Sequence, residues 1–374
     1  MCNQNLFRTV RSGLLACLVL FLLSSCASTK SLSSLSLSEQ VAHSIDSLCA
    51  VQLQQGHYPG LAVSVFFGKN KAWSKGYGFS NLEKKVPVDP TSDLFRIGSI
   101  SKTITATALA RVTEKGLVDM DVPISTYYKE CPEDKRNLTL RQIGGHLAGI
   151  RHYSGVEFLS NIHYTNVTAP IEVFIHDTLL CQPGTKFNYS TYGWTLISAV
   201  MEKAVKKSFL DIINEEVKYP LDLTDLKADQ KDSSGFQRVT FYEWQDGKAV
   251  PSPVVDNSNK WAGGGFLCSA EDLGRFGYAL VQPGFLNEKS IADFTQSQVT
   301  TTGEKTDYGI GFRIGMDEKG RSWYGHSGGS VGGTSMLLIY PEQDLVIVTL
   351  VNMGSAQMED LAWKIGEIVL RDKE

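Results

Sequence analysis

The chain has 374 residues, 42% of them hydrophobic and 20% charged, which is ample material for a buried core. Its formal net charge of −4 excludes the strongly basic surface that nucleic acid or an anionic membrane would select. There is no internal repeat.

The N-terminus reads as an address. Arg8 and Arg11 precede an apolar run over 14–23, too short to span a bilayer and fit for a signal peptide. Leu23-Ser24-Ser25-Cys26 resembles a bacterial lipobox, with Cys26 as the lipidated first residue of the mature chain. The competing reading is a cleaved secretory signal with an incidental cysteine. Residues 1–25 are thus the expected signal peptide, 26–38 a serine-rich tether and 39–374 the folded domain. The expected location is the bacterial cell envelope, on the outer membrane or the periplasmic face. The membrane is expected as a partner through the lipid anchor only. Of the other cysteines, Cys49, Cys131, Cys181 and Cys268 are widely spaced, and sequence alone does not pair them; buried free thiols are the expectation. No metal-ligand spacing occurs and no cofactor is expected.

Residues 39–55 have helical periodicity. A strand over 61–67 and its hairpin partner over 71–79 follow. A buried helix opens at Ser99, and helices are expected over 139–144, 170–179, 191–206, 209–219 and 271–281. Strands are expected over 308–314, 334–340 and 345–352, the last two joined by a short turn and therefore antiparallel. Residues 358–370 close the chain as an amphipathic helix. The simplest packing is an α/β (α+β) domain: a mostly antiparallel sheet flanked by helices, with an inserted helical lobe.

Ser99-Ile100-Ser101-Lys102 is the only S-x-x-K in the chain. On a helix the two residues share a face, so Lys102 lies beside the Ser99 hydroxyl. A lysine in an apolar setting has a lowered pKa and can take the serine proton. The helix N-terminus offers N–H groups to an oxyanion. Tyr189-Ser190-Thr191 opens another helix; beside a Lys102 cation its phenolate is expected to be accessible and to shuttle the proton. Gly325-His326-Ser327-Gly328-Gly329 matches the nucleophile elbow G-x-S-x-G, but a glycine-rich stretch leading to a strand follows it, and no histidine does. It reads instead as a sheet-edge strand that lets a substrate approach the backbone. His146 reads as a loop-fixing residue, and 263–265 as a close-packed cavity wall.

These three motifs follow in the order and rough spacing of the penicillin-recognising serine hydrolases, and the chain resembles that family, class C beta-lactamases included, over residues 40–369. Gly145-His146-Leu147-Ala148-Gly149 is similar to its H-x-S-G loop. Gly149-Ile150-Arg151-His152-Tyr153 with Tyr189-Ser190-Thr191 is closest to its beta-lactamase-like serine proteases. The resemblance implies the beta-lactamase/transpeptidase fold, Ser99 as acylated nucleophile, Lys102 as activator, Tyr189 as proton shuttle and His326 in the place of the K-T-G lysine. It implies an oxyanion hole of the Ser99 and Gly329 N–H groups, with Ser327, Gly328 and Thr191 toward substrate. Thr191 stands where relatives have asparagine. With His326 in place of lysine, no permanent cation is expected at that position. The expected function is an exported serine hydrolase that cleaves a peptide or small amide or ester of envelope origin through an acyl-enzyme. A true beta-lactamase, a D-alanyl-D-alanine carboxypeptidase and a non-turnover acyl-binding sensor stay open, as does the oligomeric state.

Overall fold

Runs of β-branched and aromatic residues at both ends of the domain make the sheet, and the chain between them supplies most of the helices. The computed structural model describes residues 37–372 except 69 and 232–234. The first half holds α1 (Glu39–Gln55), β1 (Gly60–Phe67), β2 (Asn70–Asn81), β3 (Val86–Pro87), β4 (Phe95–Arg96), α2 (Ile100–Glu114) and α3 (Leu140–Gly144). Next come α4 (Thr191–Val205), α5 (Phe209–Ile213), β5 (Lys227–Ala228), β6 (Tyr242–Gln245), β7 (Lys248–Pro251), α6 (Trp261–Gly264) and β8 (Phe266–Cys268). The last part holds α7 (Ala270–Ala279), α8 (Glu288–Phe294), β9 (Arg313–Met316), β10 (Ser322–Ser330), β11 (Gly333–Tyr340), β12 (Leu345–Val351) and α9 (Glu359–Arg371).

The main sheet has the order β3-β2-β1-β12-β11-β10-β9, with every pairing antiparallel. Its central strands are apolar on both faces because helices cover both. Leu61, Val63, Val65, Leu338 and Ile347 pack with Ile45 of α1 and Leu361 and Ile365 of α9. On the other face Ala62, Leu337, Ile339, Val346 and Val348 join Leu273 and Phe276 of α7 and the buried helix α2. A second, three-stranded sheet, β4-β8-β5, leads the chain into α2. This is the mixed antiparallel sheet with flanking helices expected from the sequence.

Three elements differ from expectation. Residues 170–179 hold only a 3-10 turn, Ala169–Val173. Beyond it the carbonyls a helix would need are taken: Val173 accepts from Arg151 and Asp177 from Lys135. The strand over 308–314 begins only at Arg313. Gly311, at φ +77°, presses on α2 and its carbonyl accepts from Thr103, so the preceding residues form a loop over that helix. β10 lies at the edge only in part: β9 pairs with it as far as Gly325, leaving His326 to Ser330 open on that side.

One close approach sets the distance between helix and sheet. Gly98 has φ +48°, and a Cβ there would lie 2.7–2.9 Å from the backbone of Gly329. A Cβ on Gly328 would lie 2.1 Å from the Ile97 carbonyl oxygen. Gly98 and Gly328 let β10 touch the turn that presents Ser99. Gly98→Ala is expected to cost about 2 kcal/mol or more, from the left-handed backbone together with the clash. Gly116→Ala, also at positive φ but with nothing within 4 Å, should cost only about 1 kcal/mol. Urea midpoints of the two variants check the difference; equal losses would refute the clash.

Candidate active site

Ser99 caps α2, yet its side chain makes no capping hydrogen bond. Its Oγ instead lies 3.0 Å from Lys102 Nζ and 2.9 Å from Tyr189 Oη. α2 is buried nearly all round, and Lys102 is wholly inaccessible. Burial holds the Lys102 amine well below its ordinary pKa, and the Arg313 and Lys260 cations push the same way. Its Nζ has three polar neighbours: Ser99 Oγ, Thr191 Oγ1 at 3.1 Å and the Gly263 carbonyl at 2.5 Å. A neutral amine has two N–H bonds and one lone pair. In that form the carbonyl would take one N–H and Thr191 the other, and the lone pair would accept from the Ser99 hydroxyl.

Tyr189 donates its phenol to Ser99 Oγ. Burial pushes its pKa up to about 12, although the Ser99 bond and Arg313 oppose the rise. The phenolate is therefore not the resting form of Tyr189: burial disfavours a charge on the phenol as it does on the Lys102 amine. The Lys102 amine lies 4.8 Å from the centre of the Tyr189 ring.

His326 is buried, and both ring nitrogens are used. Nδ1 faces the Ser327 carbonyl at 2.5 Å, an acceptor, so it carries the proton. Nε2 then accepts from the Tyr308 phenol at 2.9 Å. Burial, with Lys102 next, keeps the imidazole well below its ordinary pKa. Thus His326 holds Tyr308, packs 6.2 Å from the Tyr189 ring centre and lines the cleft, with both ring nitrogens engaged by the protein. Thr191 is buried on Lys102 and not among the residues lining the cleft, contrary to expectation. Ser327, Gly328 and Gly329 do line the cleft in front of Ser99, which measures about 760 Å³. A side chain on Gly329 would meet only open space. The four described cysteines are free; Cys49, Cys131 and Cys268 are buried.

A family model described as Beta-lactamase matches residues 45–369. The chain belongs to the Beta-lactamase family. Members of this family are serine hydrolases, and the chain is an enzyme of that class. Among curated proteins it is similar to "Serine beta-lactamase-like protein LACTB, mitochondrial" from Homo sapiens, at 27% identity over 82% of this chain and 76% of that protein. Among solved structures it is similar to an octameric penicillin-binding protein homologue from Pyrococcus abyssi, with TM-score 0.74, 22% identity, and coverage of 89% of this chain and 78% of that one. It is also similar to the D-amino acid amidase from Ochrobactrum anthropi SV3, with TM-score 0.77, 18% identity, and coverage of 90% and 100%. These structures support the fold. The expected bacterial envelope location is overturned: the mammalian relatives that match over most of the chain are mitochondrial proteins by name. No helix among the described residues is long and apolar enough to cross a membrane. Cys26 and the signal-like segment lie outside the described residues.

This Beta-lactamase family site contains residues that sequence reading missed. Arg313 is exposed, lines the cleft and starts β9 opposite Gly325. Among the described residues no carboxylate pairs with it. No local signal marks it, because its place depends on β9 pairing with β10. The Gly263 carbonyl and Tyr308 were missed for the same reason: each meets its partner only through the tertiary fold.

Because folding lowers the Lys102 pKa, the unfolded chain binds more protons than the folded one between that lowered pKa and the ordinary lysine value of about 10.4. Stability should therefore rise with pH toward about 10 through this residue. Lys102→Met is expected to remove that part of the slope. Urea midpoints at about pH 7, 8.5 and 10 for both proteins check it, and identical slopes would contradict a neutral Lys102.

Proposed function

We propose that the chain hydrolyses a peptide, or a small amide or ester, through an acyl-enzyme on Ser99. The observation that carries this reading is the Ser99 oxygen held between the Lys102 amine nitrogen at 3.0 Å and the Tyr189 phenol at 2.9 Å. As Oγ bonds to the acyl carbon, its proton passes to Lys102. The oxyanion is received by the N–H groups of Ser99 and Gly329, a kind of donor whose loss typically costs about 10²–10³ in rate. When the bond to the leaving group breaks, Tyr189 protonates that group, and the transient phenolate is stabilised by the nearby Lys102 ammonium. Water then attacks the acyl-enzyme by the same groups in reverse.

Arg313 supports a substrate that carries a carboxylate, with the guanidinium at the cleft wall as its partner. That keeps a D-alanyl peptide or a beta-lactam within the substrate class. The similarity to an amidase acting on D-amino acid amides points toward amide cleavage.

Ser99→Ala is expected to abolish fluorophosphonate labelling, read by intact-protein mass, with an unchanged circular dichroism spectrum. Undiminished labelling would sink the assignment of Ser99. Arg313→Gln should raise KM for a carboxylate-bearing peptide by about ten- to hundred-fold, the worth of one charged hydrogen bond. KM for a neutral nitrophenyl ester should stay the same. Equal changes for both substrates would remove Arg313 from carboxylate recognition.

A further inference from the structure

The loop 145–153 runs beside the segment that carries Tyr189, and two of its histidines grip that segment from both sides. The His146 carbonyl accepts from the Asn188 N–H at 2.8 Å, and its Nδ1 accepts from the Ser190 N–H at 3.1 Å. The His152 Nδ1 accepts from the Thr191 N–H, also at 3.1 Å. A peptide N–H only donates, so both Nδ1 atoms present lone pairs and both rings carry their proton on Nε2.

Capping of α4 does not need them. Ser190 Oγ already accepts from the Gly193 N–H and donates to the Arg151 carbonyl. The two imidazoles are directed instead at the two N–H groups that directly follow Tyr189. Their rings also meet its ring: His146 at 4.4 Å between centres, His152 edge-on at 5.6 Å. His146 takes a left-handed backbone, φ +61°, which a bulky residue adopts only under compulsion from its surroundings. Its Nε2 is buried without a hydrogen-bond partner.

We propose that His146 and His152 are positioning residues for Tyr189: as uncharged acceptors they fix the Ser190 and Thr191 peptides and so hold the phenol on Ser99. This rests on the reading that Tyr189 serves Ser99 in catalysis. The groups facing them disfavour any positive charge. His152 faces Lys102 of α2 and Lys260 ahead of α6, with the Tyr153 and Tyr189 rings beside it and Arg151 donating to its carbonyl. His146 faces Lys102, His326, His152 and Arg313, and the rings of Phe187, Tyr189 and Tyr308. Burial above all presses His152 down to about 4 and His146 well below its usual range. Protonation of either Nδ1 would set N–H against N–H and release the peptide it holds.

The test uses the full chain at pH 7.5 as wild type, His152→Ala and His152→Asn, with a nitrophenyl ester as substrate and the folded fraction counted by circular dichroism. The alanine variant is expected to acylate about ten- to hundred-fold more slowly with KM nearly unchanged, as befits loss of one buried acceptor. Asparagine, whose amide oxygen stands where Nδ1 does, should recover the rate to within about threefold. In ¹⁵N-histidine NMR the wild-type His152 Nδ1 should remain unprotonated from neutral pH down to about 4. A wild-type rate in the alanine variant, an asparagine variant no faster than alanine, or a proton on Nδ1 at neutral pH each overturns the proposal. Absence of any Ser99 adduct in the wild type would instead refute the acyl-enzyme reading, and the NMR result would still decide the clamp.

Discussion

Everything at this site depends on one buried amine. Lys102 lies in the first turn of α2, wholly inaccessible to solvent and, among the described residues, without a carboxylate partner. An ammonium there would lose its hydration for nothing. The fold therefore accepts a neutral lysine and satisfies it with neutral groups: a carbonyl from α6, a hydroxyl from α4 and the serine itself. The price of burying Lys102 is what makes it a base. Helices α4 and α6 must come to α2 at fixed heights for those bonds to form. Gly263 marks how close they come, since a Cβ there would meet Thr191 Cγ2 at 2.6 Å.

The same reasoning extends outward. Burial raises the Tyr189 pKa to about 12, so Tyr189 keeps its proton and gives its hydrogen bond to Ser99. Around that pair the fold places uncharged polar groups in a connected set: His326 with Tyr308, His146 with Ser190, His152 with Thr191. Each is buried enough to resist protonation, so the cluster does not add a charge that would disturb Lys102.

Much of this was legible in the sequence because it is local. Ser99 and Lys102 share a helical face by spacing alone, and α1, α4 and the β11–β12 hairpin declare themselves by periodicity and by the 341–344 turn. The order of three motifs carried the fold. What was hidden depends on distant groups. The 170–179 segment looks helical until Arg151 and Lys135 take its carbonyls. Residues 308–312 look like a strand until Gly311 is seen folded over α2. The contacts of His326 were hidden because nothing near it in sequence reveals that Tyr308 occupies its second nitrogen.

That last case also accounts for the departure from the lysine of K-T-G. Position 326 in this chain is buried, beside Tyr189 and near Lys102. A second lysine in that seat would be desolvated as Lys102 is, and two amines would compete for one set of neutral acceptors. Histidine fills the seat uncharged, with one proton for the Ser327 carbonyl and one lone pair for Tyr308. The cation appears on the next strand instead. Arg313 pairs across to Gly325, one residue before His326, and faces solvent at the cleft wall. There its charge stays hydrated until a substrate arrives, and at that distance it still presses the Lys102 pKa down. One exposed guanidinium thus stands at the cleft wall and lowers the pKa of the base without itself being desolvated, which a buried lysine at 326 could not do.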